Sequence, residues 1–311
     1  GYSDSAFRQV CKKVNPNLLT YTEFTSADGL SYNAKTVQKK LRFLPSERPI
    51  LAQIFGKNIE TFIRATKLCE DMGFTGIDLN MGCPAKKVVK SEHGVALRKN
   101  VDLACQLIDA VASNTSLPVS VKTCLGWSDA SDLIDFGLAA QNAGADMIAI
   151  HARTYQEPYK VAAQFEPVYA LKEALSIPVL GNGGITSLKD GLDKLGNLDG
   201  FLIGQASFGN PWVFDPLSKK IPLKGGFKVN TMPSQKQLGK LRKINSSEMA
   251  PTVSIDKEIQ VLWINGPSLD IRNQHRRFYL YQNQYLEIFY FLNTIHKMIL
   301  TFHRYSLLES N

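Results

Sequence analysis

Seven short apolar segments, each followed by a stretch with helical spacing, recur between residues 18 and 204. They occupy 18–24, 49–56, 76–80, 118–123, 147–151, 178–182 and 200–204. Strands that are apolar on both faces and separated by helices belong to a parallel sheet covered on both sides. Eight such units over roughly 210 residues make a (β/α)8 TIM barrel rather than an open doubly wound sheet. Seven segments are present, so the first strand is expected to be truncated ahead of Gly1. No G-x-G-x-x-G follows the early strands, which weakens a dinucleotide-binding alternative. Helix starts are marked locally: Ser3 or Asp4 before a helix through about Val14, and Asn58 before the stripe Phe62, Ala65, Cys69 and Met72 that Gly73 ends. Cys69 on that stripe reads as core.

Charge divides the chain. Residues 1–214 hold 22 Lys and Arg against 21 Asp and Glu, whereas 215–311 hold 14 against 7. A basic last third suits an anionic partner, and equally a solvated surface. Residues 1–214 are read as the barrel, 215–270 as a basic, Pro- and Ser-containing linker segment, and 271–311 as a small C-terminal helical region. That region carries Phe278, Tyr281, Tyr285, Ile288, Phe289 and Leu292 at helical spacing. Arg272, His275, Arg276 and Arg277 at its start are the best local candidates for phosphate contact. Five cysteines without a C-x-x-C pair suggest neither zinc nor an iron–sulfur cluster, and no metal is expected. Their odd number and the lack of a secretory leader point to reduced thiols in a cytoplasmic protein. No segment has the length and purity of a membrane span; 289–302 comes nearest and is interrupted by Asn293, His296 and Lys297.

Active sites of such barrels lie at the C-terminal ends of the strands. Polar or permissive residues recur there: Gln53, Asn80 with Cys83, Lys122, His151, Asn182-Gly183-Gly184 and Gly204. Each alone could be a cap or a satisfied core group; together they point to a shared ligand. The amide of Gln53 can meet a heterocycle edge as donor and acceptor, and Lys122 offers a cation to an electron-rich ring. Glycine turns on the last two strands suit phosphate held by backbone N–H groups. A phosphorylated heterocycle such as flavin mononucleotide fits this set, whereas a phosphosugar leaves Gln53 and Cys83 without a role. A thiol with an ordinary pKa near 8.5 is mostly protonated at neutral pH, so Cys83 can act as general acid. Nucleophilic work would call for a base such as His93 nearby.

The run Asp78-Leu79-Asn80-Met81-Gly82-Cys83-Pro84-Ala85-Lys86-Lys87-Val88 resembles the signature of the tRNA-dihydrouridine synthases, most like their bacterial B branch. The resemblance extends over most of residues 1–214. It takes in Ser3-Asp4-Ser5-Ala6-Phe7-Arg8, Gln53, Val121-Lys122, His151-Ala152-Arg153-Thr154, Gly181-Asn182-Gly183-Gly184, Ile203-Gly204 and Gly209-Asn210-Pro211-Trp212. It implies an FMN-containing barrel with a small helical domain that helps hold tRNA, and NADPH as reductant. It further implies hydride transfer to C6 of a uracil, with a cysteine thiol, here Cys83, protonating C5. By the same likeness Gln53, Lys122 and His151 hold the flavin ring and ribityl region. Asn182, Gly183, Gly184, Gly204 and Gln205 hold its phosphate, and Asn80 and Arg153 face the substrate. Lys86, Lys87, Arg276 and Arg277 then meet RNA phosphates of a substrate whose uridine is drawn from its stack.

Four departures stand out. The family's first strand is expected to be truncated ahead of Gly1, and Cys124 and Gln205 stand where the family usually has arginines. The stretch 215–270 does not follow the usual helical-domain pattern. Two other functions remain compatible: an FMN barrel acting on a free pyrimidine, as dihydroorotate and dihydropyrimidine dehydrogenases do, and a flavin-free RNA-binding relative. The protein is expected to be monomeric.

Overall fold

The structure, a computed structural model, describes residues 3–32, 35–216 and 261–263. All seven expected strands form: β1 (Leu19–Tyr21) with β2 (Thr25–Ser26), β3 (Ile50–Phe55), β4 (Gly76–Asn80), β5 (Val119–Cys124), β6 (Met147–His151), β7 (Val179–Asn182) and β8 (Gly200–Ile203). From β3 onward each pairs in parallel with the next. The segment expected as one strand over 18–24 is split. Both pieces pair with β3, but the register passes from Thr20↔Ile50 to Thr25↔Ile54, so the chain slips by one residue between them.

The place between β8 and β1 is taken by a ninth strand, β9 (Val261–Trp263), antiparallel to both neighbours. It comes from the 215–270 segment that sequence reading assigns to a linker. The ring closes through it, giving a (β/α)8-type barrel in which the eighth wall position is antiparallel. The segment 271–311 that sequence reading expects to be helical, with Arg276 and Arg277, lies outside the described residues.

The helices alternate with the strands. In chain order they are α1 (Ser5–Val14), α2 (Ala27–Ser31), α3 (Lys35–Gln38), α4 (Ile59–Asp71), α5 (Lys86–Lys90), α6 (Val101–Ser113), α7 (Leu133–Asn142), α8 (Glu166–Ala174) and α9 (Leu188–Asp193). Side-chain caps fix several starts. Asp4, Asn58, Asn100 and Ser187 each accept a backbone N–H of the first turn, worth about 1 kcal/mol apiece. Gly73, with φ 79°, lets the chain leave α4 as expected.

Alternation along the strands sorts side chains into two layers. The outward positions are filled by Ile50, Ala52, Ile54, Ile77, Leu79, Val119, Val121, Ile148, Ile150 and Ile203. These join Phe62, Leu107, Phe136 and Leu171 of the helices in one core. Fully burying each large side chain of this layer contributes about 1.5–3 kcal/mol. The barrel interior is different. Its β1 and β6–β8 side is apolar, built from Leu19, Tyr21, Met147, Ala149, Leu180 and Leu202 together with Leu51 of β3. Its β3–β5 side carries buried Gln53, Asp78, Asn80, Ser120 and Lys122. The strands are therefore apolar on both faces only in part, and the exceptions gather on one side of the interior.

Candidate active site at the strand ends

The polar side of the interior is one hydrogen-bonded chain. Gln53 Nε2 donates to Asp78 Oδ2 at 2.7 Å, and Asn80 Nδ2 donates to Gln53 Oε1 at 3.1 Å. Asn80 Oδ1 in turn accepts from the backbone N–H of Cys83 at 2.9 Å and of Gly82 at 3.3 Å. A side chain on the last residue of β4 thus folds the following loop back over the strand end. The thiol-bearing residue itself is 7% exposed. Ser120 Oγ also donates to Asp78, and Lys122 stands opposite Asn80 in the β4–β5 register.

Glycine lets this loop approach its neighbours closely. A Cβ on Gly82 would lie 3.1 Å from the backbone of Thr123 at the end of β5. Gly94 has φ 61°, and a Cβ there would lie 2.8 Å from the carbonyl oxygen of Cys83. His93 packs edge-on against Phe55, with ring centroids 5.8 Å apart. Lys86, Lys87 and Lys90 on α5 are exposed beside the loop.

Burial dominates the electrostatics. It pushes the Asp78 carboxyl up to about 7, against the opposing effects of Ser120, Gln53 and the Lys122 charge. Tyr21 is raised well above its ordinary range, first by burial and then by Asp78, with Ser120 opposing.

A second cluster forms across β6 and β7. Asn182 Nδ2 donates to the Leu202 carbonyl at 3.0 Å, which turns its Oδ1 toward His151 Nδ1, also at 3.0 Å. That arrangement places the imidazole proton on Nδ1 and leaves Nε2 facing Arg153 Nη1 at 3.4 Å. Gly183 and Gly184 follow with φ 121° and 62°, a turn closed to ordinary side chains. Gln205, beyond β8, is exposed.

Of the strand-end residues read from the sequence, Gln53, Asn80 and Cys83 form one group with Lys122 paired to Asn80, His151, Asn182, Gly183 and Gly184 form another, and Gly204 follows the end of β8. Arg153 joins the second group rather than Asn80. Sequence reading missed Asp78, Ser120 and Tyr21, although Asp78 and Asn80 are two apart in β4 and so share a face. It also missed Arg98, 3% exposed, which donates to Asp132 at 2.5 Å and lies over the Phe136 ring at 3.9 Å. Its Nε and Nη1 have no partner among the described residues. Among those residues no helix is long and apolar enough to cross a membrane.

A family model described as dihydrouridine synthase (Dus) matches residues 1–249. A probable tRNA-dihydrouridine synthase of Rhodobacter capsulatus is 35% identical over 216 residues, covering 68% of this chain and 66% of that protein. tRNA-dihydrouridine synthase B of Pseudomonas aeruginosa is 33% identical over 218 residues, covering 69% and 65%. Probable tRNA-dihydrouridine synthase 1 of a Synechocystis strain is 31% identical over 216 residues, covering 68% and 61%. The chain spans just under two thirds of the length of these curated relatives.

Proposed function

The chain belongs to the dihydrouridine synthase family, and from that premise we propose that it reduces specific uridines of tRNA to 5,6-dihydrouridine. The observation that carries the reading is the chain from Asp78 through Gln53 and Asn80 to the backbone of Cys83, which holds one thiol at the strand ends. The residues present fit FMN. The Gly183-Gly184 turn is a cradle that a Cβ would fill, 3.3 Å from Ala163 in the first case. Gln53, Lys122 and His151 offer polar atoms for a ring and ribityl chain, and Asn182, Gly183, Gly184, Gly204 and Gln205 line the phosphate end. When bound, FMN reduced by NADPH supplies the hydride for C6 of the uracil.

The protein's own part is placement and proton supply. Cys83 Sγ holds the proton that goes to C5, and Asn80 fixes the loop that carries it. Lys122 places a positive charge beside the site. Water is kept from the thiol by its burial under the loop that Gly94 buttresses. Exposed Lys86 and Lys87 grip RNA phosphate outside, as do Arg276 and Arg277 in the basic last third.

Replacing the acid tests this directly. Cys83→Ala is expected to retain FMN absorbance while dihydrouridine formation in tRNA falls about 10²–10⁴-fold, the usual worth of a general acid. An unchanged product yield removes Cys83 from the role.

A further inference from the structure

We propose that Arg153 is the cation of the phosphate subsite, so that the site selects a phosphorylated flavin over the unphosphorylated one. This rests on the flavin reading above, and it moves Arg153 from the substrate side, where sequence likeness puts it, to the cofactor side. Arg153 is nearly buried, at 6% exposure, and no carboxylate pairs with it directly among the described residues. Burial lowers its pKa against the opposing charges of Tyr159 and Glu157, so a further counter-ion is favoured.

Its aim is fixed. Arg153 Nε donates to the Val161 carbonyl at 2.6 Å, which holds the planar fork in one orientation. The two terminal nitrogens then face the double-glycine turn. A Cβ on Gly183 would lie 3.5 Å from Nη1, and one on Gly184 would lie 3.4 Å from Nη2. Both glycines have positive φ and no side chain, so their backbone lies open to the fork. Fork and turn thus meet at one place.

Neither glycine turn supplies a cation of its own. Residues 181–187 after β7 and 204–210 after β8 contain neither lysine nor arginine, and Gln205 is neutral. The formal charge at this end of the site comes from Arg153, two residues beyond the end of β6. An arginine fork suits a phosphate monoester, which presents paired oxygens to two N–H donors.

The test compares FMN with riboflavin, which share the ring and ribityl chain and differ only in the phosphate. Binding of each is followed by flavin fluorescence in the wild type, Arg153→Gln and Arg153→Lys, with circular dichroism to establish that each variant is folded. Expected is a wild-type preference for FMN that Arg153→Gln reduces about tenfold to a hundredfold, riboflavin affinity staying constant. Arg153→Lys is expected to recover part of the preference, since it keeps the charge and loses the fork. Equal weakening of both flavins, or an unaltered preference, overturns the assignment while leaving the flavin reading intact. Failure of the folded wild type to bind either flavin overturns both.

Discussion

Asp78 is an acid held at the centre of the barrel, and its cost is legible in pH. Its carboxyl stands at about 7 where an exposed aspartate ionises near 3.8. Between those values the folded chain keeps a proton that the unfolded chain has lost. Stability contributed at this position is therefore fully present below about pH 4, falls as pH rises, and levels off above about 7. Asp78→Asn removes that dependence. Urea unfolding from pH 5 to 8 should show the wild type losing about 3 kcal/mol relative to Asp78→Asn. A difference that stays constant across the range would contradict the burial argument. At this scale the sequence told much about Asn80, Cys83, His151 and Asn182, because they lie at or just beyond strand ends, and about Gln53, two residues short of the end of β3. Asp78 and Ser120 lie inside their strands, and only the register between strands shows that Asp78 meets Gln53 and Ser120.

The loop after β4 carries the proposed acid, and it is held by the Asn80 side chain and by close backbone approach at Gly82 and Gly94. Gly94 is the sharpest point of contact, with a positive φ and the Cys83 carbonyl against it. Gly94→Ala should strain that turn and push the thiol out of place. Misplacement of this kind costs up to about a hundredfold in rate. The expected result is a lower kcat for uridine reduction with FMN affinity retained; normal kcat would show that the loop tolerates the shift. Elements with local signals were readable in advance, such as α4 between Asn58 and Gly73. Two features were not. The slip between β1 and β2 leaves no mark in a short apolar run, and β9 is a three-residue strand whose partners, β8 and β1, are far away in sequence.

For the whole molecule, charge and architecture divide the work. The strand ends of a near-neutral barrel carry the candidate reacting groups, and the basic excess lies in residues 215–311. Under the proposed function a folded RNA is the anionic partner that fits both, its uridine reaching a buried thiol while its phosphates are gripped outside. The barrel class followed from strand and helix alternation, but the antiparallel closing strand did not, because alternation carries no information about a distant segment. The most direct measurement incubates the chain with FMN, NADPH and an unmodified tRNA transcript, and in parallel with free uracil and orotate, reading products by mass spectrometry. Expected is dihydrouridine in the tRNA, abolished by Cys83→Ala, with the free pyrimidines untouched. Reduction of a free pyrimidine with the tRNA unchanged, or no product from flavin-loaded protein, would contradict the proposed function.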